Sequence, residues 1–328
     1  MGSRKPYWTK SLRRNPVPAL LAGGNEAVAY FARRDLLGAP VGPVESLWRS
    51  TPAQAILRRQ QPDGSWRYPG GRPGLRSRED YDQLEAYRRV GHLVEKYGMM
   101  RASPVLAGAA ERLYRAQSRE GDFRGIYGRQ YTPNYTGGIL ELLIKAGFAE
   151  DARTERGLRW LLAVRQEDGG WALPFRIAGS KLTDALMRTE PLRGDPSSPS
   201  SHLVTGVVLR AFAAHPRYRR RPEVLRAGEI LRSGLFRKDA YPDRGTPEYW
   251  TRFAFPFWFT DLLSALDSLS LLGFTADDPQ IRLGLRWLAG RQGRDGLWDV
   301  KLLKTGDKDL RLWIGLAASR IFRRFHER

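Results

Sequence analysis

The sequence contains no cysteine. This absence excludes disulfide bonds, zinc sites built on thiolates and cysteine nucleophiles. Histidine is also scarce, with four residues in 328, so we predict neither a metal site nor another cofactor. No apolar run approaches the roughly 20 residues that a membrane-spanning helix needs. We therefore predict a cytoplasmic protein without a transmembrane segment.

Acidic residues are in the minority. The chain has 55 Lys and Arg against 35 Asp and Glu, which gives a net charge of +20. A charge of this size attracts nucleic acid or anionic lipid. The arginines are nevertheless spread along the chain with acids between them. We expect a solvated basic surface, and we do not expect specific nucleic-acid binding.

Strand patterns are almost missing. The main pattern of the chain is instead a block of sequence that occurs twice. The copies run over residues 147–171 and 273–298. Both contain Gly-Leu-Arg-Trp, then Arg-Gln, a glycine-containing turn and a final Trp. This order predicts a helix followed by a turn that is anchored by an aromatic side chain. Internal repeats of this kind decide the fold class.

Weaker copies of the turn fill the intervals between the two blocks. They end at Trp66, Phe123 and Phe236, and all five aromatic anchors lie 48 to 65 residues apart. A period of that length holds two helices and their loops. We therefore predict a chain of helix pairs, with Trp66, Trp171 and Trp298 buried at equivalent turns.

Two kinds of helix alternate along the chain. The helices that follow the turns, such as 202–214 and 257–272, are apolar nearly all round. The helices that precede them, such as 279–290, carry arginine on one side. An all-round apolar helix is buried, whereas an amphipathic one faces water. The prediction is an all-α fold, an α/α toroid of five to six inner and outer helix pairs; an open solenoid is the alternative.

The chain divides into two predicted parts. Residues 1–23 contain proline and five basic residues, and we predict a basic, flexible arm there. The repeats run through the remainder, so we predict a single domain over residues 24–328. Asn25 is expected to begin its first helix and Gly38 to end it.

The Gln-x-x-x-Gly-x-Trp endings at Gln60–Trp66 and Gln292–Trp298 resemble the QW repeats of the terpenoid cyclase and protein prenyltransferase superfamily. Residues 25–38 also resemble the first helix of uncharacterised bacterial proteins described as prenyltransferase/squalene oxidase repeat proteins. The resemblance implies a toroid whose inner helices line a central cavity. It is specific for the fold and much less specific for an activity.

The active-site signatures of that superfamily are mostly missing. An Asp-x-Asp-Asp acid does not occur, and the nearest string is Glu79-Asp80-Tyr81-Asp82 at the start of an inner helix. Asp277-Asp278 lacks the third acid of a magnesium motif and suits a helix cap. The zinc set of the prenyltransferases needs cysteine. The resemblance therefore implies a cavity without a transferred mechanism.

We predict three catalytic residues at the inner helices. Asp261 is expected inside the helix 257–272, on one face with Ser264, Ala265 and Ser268, as the principal acid of the cavity, and Asp82 and His202 are expected to assist it. Carboxylates in an apolar cavity have raised pKa values, as an acid catalyst requires. Weaker candidates are Glu85 and Tyr131. Asp80 and Asp309 are also candidates, although we expect both to cap helices.

Four aromatic residues are predicted to line the cavity: Tyr135, Trp250, Phe257 and Trp258. Aromatic faces stabilise cations, although packing alone would also explain such residues. The favoured function is a toroid for an isoprenoid or other apolar ligand, with cyclase or transferase activity that lacks the usual acid motifs. The alternative is a non-catalytic scaffold that binds a lipid, a peptide or a protein, and a nucleic-acid-binding helical repeat is the least favoured.

Overall fold

The computed structural model describes residues 7–70, 74, 76–241, 246–303 and 306–327, and these are mostly helical. The helices are α1 Val17–Ala22, α2 Glu26–Leu37, α3 Thr51–Leu57, α4 Arg78–Tyr97, α5 Pro104–Tyr114, α6 Pro133–Leu143, α7 Ala152–Ala163, α8 Pro174–Ile177, α9 Leu182–Leu186, α10 His202–Ala214, α11 Pro222–Ser233, α12 Leu262–Leu272, α13 Pro279–Gly290 and α14 Leu310–His326. Two short strands, β1 Arg252–Phe253 and β2 Lys301–Leu302, pair in parallel. In the part of the chain that is described, no helix is both long and apolar enough to cross a membrane.

The chain folds into two compact units. The terminal unit comprises the described residues of Met1–Pro43, Leu231–Asp239 and Arg244–Arg328. The middle unit comprises those of Val44–Ile230 and Ala240–Asp243. The single domain predicted for residues 24–328 stays a prediction, and each unit is described by itself below.

Buried and amphipathic helices alternate in both units, which confirms the all-α class. Almost every residue of α6 and α12 is buried, whereas α13 buries one stripe. In the middle unit α6 packs on α10, and in the terminal unit α14 packs on both α12 and α2. A Cβ atom at Gly137 would lie 2.8 Å from Cα of Val208, so glycine lets α6 and α10 approach closely.

The repeat turns have one geometry. In three of them the tryptophan is at most 2% exposed, and its indole N–H donates to the carbonyl group ten residues earlier. These bonds join Trp66 to Ile56 (2.8 Å), Trp171 to Leu161 (2.7 Å) and Trp298 to Leu288 (3.0 Å). The predicted burial of the three tryptophans is confirmed. Each indole ties the turn back to the outer helix that precedes it.

In the first two turns the glutamine reaches forward instead. The side-chain amide of Gln60 donates to Gly64 O at 3.2 Å and to Val105 O at 2.8 Å, at the start of α5. Gln117 repeats this with Gly121 O at 2.9 Å and Arg153 O at 2.8 Å, at the start of α7. One side chain therefore closes the turn and holds it to the next outer helix.

At the last repeat turn, the glutamine binds the segment before α1 instead of an outer helix. Gln292 donates to Gly296 O at 2.7 Å and to Arg14 O at 2.8 Å, just before α1. A Cβ atom at Gly296 would lie 2.9 Å from Asn15 O. The segment before α1 thus takes the place that the start of α5 takes at the first turn.

The prediction of a flexible arm is therefore wrong for residues 7–23. Tyr7–Ser11 forms a turn of 3₁₀-helix, and Trp8 within it is fully buried. This stretch folds because it pairs with the last repeat turn, which a charge pattern does not reveal. Residues 1–6 lie outside the described residues. The expected start and end of α2 are confirmed, since Asn25 accepts from Val28 N at 3.0 Å and Gly38 has a φ of +60°.

Candidate functional site

The start of α4 presents the acids that most resemble a family signature. Ser77 is the N-cap, and its hydroxyl group accepts from Asp80 N at 3.1 Å. Asp80 stands in the third position of the helix, where its carboxylate bonds back to Ser77. The expected capping role of Asp80 is therefore corrected: Ser77 caps the helix, and Asp80 is its reciprocal partner.

Asp80 lies beneath a tight turn between Gly125 and Gly128. The two glycines bond to each other in both directions, at 2.9 and 2.8 Å. Gly125 has a φ of +106°, and a Cβ atom there would lie 3.0 Å from Oδ1 of Asp80. Burial raises the pKa of Asp80, although Ser77 and Arg76 act in the opposite direction. Asp80 therefore retains its proton to a higher pH than an ordinary aspartic acid.

Aromatic side chains gather beside this turn, mostly on α4, α6 and the turn itself. The ring centroid of Tyr127 lies 5.0 Å from that of Tyr135 and 5.9 Å from that of Phe175. Tyr87 meets Tyr135 from the other side, at 5.9 Å. The three contacts are edge-to-face, an arrangement that aromatic rings favour. We call Tyr87, Tyr127, Tyr135 and Phe175 the aromatic cluster.

A cation already lies against this group. The guanidinium of Arg76 is 5.5 Å from the ring centroid of Tyr127 and 5.6 Å from that of Tyr81. Its Nε atom is buried without a hydrogen-bond partner among the described residues. Arg76 also interacts with the carboxylate of Asp80. One region of the middle unit thus combines tyrosine faces, a cation and an acid with a raised pKa.

The predicted residues of the middle unit have different surroundings. Tyr135 belongs to the aromatic cluster, and burial raises its pKa. Asp82 is half-buried and accepts from Tyr68 N at 2.8 Å, so it holds the loop before α4. His202 is the first residue of α10, directly after the N-cap Ser201. The catalytic roles of Asp82 and His202 stay predictions.

Asp261, in the terminal unit, does not lie inside a helix as predicted. Helix α12 begins at Leu262, and Asp261 is its N-cap. Its Oδ1 accepts from Ser264 N at 2.7 Å, while Ser264 Oγ accepts from Asp261 N at 2.9 Å. The carboxylate starts the helix because it satisfies amide groups that have no partner within it. Ser264, Ala265 and Ser268 are buried, whereas Asp261 precedes their helical face.

The predicted cavity aromatics of the terminal unit are partly core residues. Trp250 is fully buried, and its indole N–H donates to Arg237 O at 2.8 Å. Its predicted place at a cavity wall stays a prediction. Phe257 is buried with its ring edge-on to Phe255, and Trp258 is half-buried. That Phe257 and Trp258 face a cavity stays a prediction.

No protein-family model matches the chain. Among curated proteins it is 27% identical over 220 residues to a terpene cyclase–glycosyl transferase fusion protein from Humicola fuscoatra, which covers 61% of this chain and 15% of that protein. It is 25% identical over 169 residues to a squalene–hopene cyclase from Bradyrhizobium diazoefficiens, which covers 45% of this chain and 21% of that protein. The resemblance to terpenoid cyclases is confirmed. The chain spans about a fifth or less of each relative, so their activities do not pass to it directly.

A solved structure is also similar to this terpenoid cyclase-like chain. A type II terpene cyclase from Scytonema is 14% identical, with 98% of this chain and 88% of that chain covered and a TM-score of 0.42. That structure is a complex with its substrate, geranylgeranyl dihydroxybenzoate. A likeness this distant carries no argument about the site.

Proposed function

We propose that the chain binds an isoprenoid or another long apolar ligand against the aromatic cluster of the middle unit. The observation that carries the proposal is that Arg76 lies against the ring of Tyr127 and also interacts with Asp80, whose pKa is raised by burial. Apolar faces provide the affinity for a hydrocarbon chain. The relatives named as terpene and squalene–hopene cyclases support the class of ligand.

The same region supports acid chemistry on such a ligand. A protonated Asp80 can transfer its proton to an alkene carbon, which leaves a carboxylate and a carbocation. Tyrosine faces stabilise a neighbouring cation by an interaction of about 0.5–2 kcal/mol per ring. Loss of a proton from the cation would then form a new alkene and restore the acid. In this proposal Asp80 takes the role that the sequence assigned to Asp261.

A non-catalytic binding function is favoured by a different observation. Two of the predicted acids, Asp82 and Asp261, use a carboxylate oxygen to accept from a backbone N–H group. Carboxylates used in this way are held in place by the backbone and have a structural role. If Asp80 is held in the same way by Ser77, the cluster binds its ligand without converting it.

Squalene in detergent micelles tests both functions with the full chain. We expect saturable binding, and gas chromatography with mass spectrometry should show a cyclised or isomerised product. Asp80→Asn should bind squalene and lose turnover by about 100-fold or more, whereas Asp184→Asn, an exposed acid on α9, should behave like the wild type. Binding without any product would favour the scaffold. Absence of binding, or Asp80→Asn with full turnover, would refute the assignment.

A further inference from the structure

The third repeat turn departs from the others because an insertion follows it. After Trp171 the chain runs through α8 and α9 before it reaches α10 at His202. We call residues 172–200 the insertion. The side chain of Gln166 donates to Asp195 O at 2.8 Å and to Ser198 O at 2.9 Å. The glutamine that elsewhere holds the next outer helix here holds the insertion.

This arrangement borders a half-open pocket of about 220 Å³ in the middle unit. Its floor is formed by Tyr131 and Trp160, outside the aromatic cluster. Its walls include Pro174 and Pro196 of the insertion, and the arginines Arg165 and Arg193 also line it. The pocket therefore exists because the insertion closes over the end of α7.

The insertion is shaped for this closure. A Cβ atom at Gly194 would lie 2.6 Å from Cδ1 of Ile177 and 3.3 Å from Cα of Pro174. Only a residue without a side chain lets the two ends of the insertion approach so closely. Asp195 then accepts from Ser197 N at 2.9 Å, which turns the chain directly after the pocket.

The aromatic floor is held in place before any ligand arrives. The rings of Tyr131 and Trp160 lie 6.0 Å apart at an interplanar angle of 32°, and both residues are mostly buried. The Tyr131 hydroxyl group donates to Glu120 at 3.0 Å, and the guanidinium of Arg124 lies 5.1 Å from its ring centroid. A floor fixed in this way binds a planar ring without paying a large ordering entropy.

The two arginines give the pocket a positive side. Arg193 is exposed and forms no salt bridge with a described residue. Arg165 donates from Nε to Leu162 O at 3.0 Å and likewise has no salt bridge within the described chain. Some other arginines of this region, such as Arg124 and Arg153, are paired with carboxylates. Arg165 interacts with the Glu223 carboxylate at longer range, so Arg193 is the cation of this pocket that is more available to an anion.

We propose that the pocket binds a small aromatic carboxylate, with its ring on Tyr131 and Trp160 and its carboxylate at Arg193 and Arg165. The volume is below the roughly 300–1,000 Å³ of pockets for drug-sized ligands, so one ring or two fused rings fit. Guanidinium groups bind carboxylates through paired hydrogen bonds. This site does not depend on the function proposed above.

Ligand-observed NMR with benzoate tests the site on the full chain, with benzamide as the uncharged probe of the same shape. We expect benzoate to bind at least about fivefold more tightly than benzamide, the order expected for an exposed charge interaction. The advantage should shrink as salt is added. Equal binding of the two probes would overturn the proposal.

Two variants locate the binding. Arg193→Met should reduce benzoate affinity about fivefold, while Arg188→Met, at an exposed position of the same insertion that does not line the pocket, should have no effect. Trp160→Leu should abolish binding, provided that its circular dichroism spectrum matches that of the wild type. Equal affinity in the two arginine variants would contradict the assignment.

Discussion

The starts of α4 and α12 make an instructive comparison, because each buried helix begins beside an aspartic acid. Asp261 is the N-cap of α12 and accepts from the amide of Ser264. Asp80 stands three residues inside the cap of α4, and burial raises its pKa. The sequence suggested the reverse, with Asp80 as a cap and Asp261 as the acid. A carboxylate at the cap accepts a hydrogen bond from the backbone of its own helix. The pKa of a carboxylate in the first turn depends more on the segments that pack against it.

The largest expected effect tests whether the two units are built alike. Trp298→Ala in the terminal unit and Trp66→Ala in the middle unit should each lower the free energy of unfolding by about 3–5 kcal/mol. Both indoles are buried and make the same bond to the preceding outer helix. Urea denaturation measures both losses. A loss below about 1 kcal/mol in one unit would break the comparison.

A smaller effect is expected where the last turn holds the N-terminal segment. Gln292→Ala removes bonds to Arg14 and Gly296 and should cost about 1–3 kcal/mol. Gln117→Ala is the matched variant of the middle unit, since Gln117 holds Arg153 in the same way. Similar losses in urea denaturation would support equivalent turns. A neutral Gln292→Ala would show that residues 7–23 do not depend on this contact.

The two aspartic acids should differ in what they contribute to stability. Asp261→Ala should destabilise the protein by about 0.5–2 kcal/mol, because it removes a helix cap. Asp80→Asn should change the free energy of unfolding by less than that, because Ser77 remains as the cap of α4. Thermal denaturation of both variants checks this order. A larger loss from Asp80→Asn would mean that its carboxylate, too, is structural.

The smallest expected effect is a difference in pH dependence. The folded pKa of Asp80 is raised, so its contribution to stability is complete below the unfolded value of about 3.9 and is lost as pH rises through the folded value. Relative to wild type, Asp80→Asn should therefore gain stability as the pH rises from the unfolded pKa of about 3.9 through the folded value. Denaturation at several pH values measures the trend. A constant difference would show that the Asp80 pKa is not raised.

Asp35 of the terminal unit should show the opposite trend. Burial by itself raises its pKa, but Arg320, which donates at 2.8 Å, and Arg34 outweigh burial and lower it. Its contribution is present above the unfolded pKa and is lost as the pH falls through the folded one. Asp35→Asn should therefore lose stability relative to wild type as the pH rises through the folded pKa to the unfolded value of about 3.9, and the difference should stay constant above it. A trend parallel to that of Asp80→Asn would contradict the comparison.

Much of the fold could be predicted because its signals are local. The Gln, Gly and Trp of each repeat turn lie within seven residues, and their spacing suffices to place the turn. The caps at Asn25 and Asp278 are also local, since each contacts amides two or three residues away. The site was harder to predict, because the surroundings of Asp80 include Gly125, about 45 residues further along the chain.

The sequence by itself determined that this chain forms helix pairs with buried aromatic turns, since periodicity and turn residues act over short distances. Tertiary structure alone decided that burial raises the pKa of Asp80. It also decided that residues 7–23 fold against the last turn, and that the insertion after Trp171 closes a pocket over α7. These outcomes depend on packing between segments far apart in the chain, and burial and pKa follow from that packing.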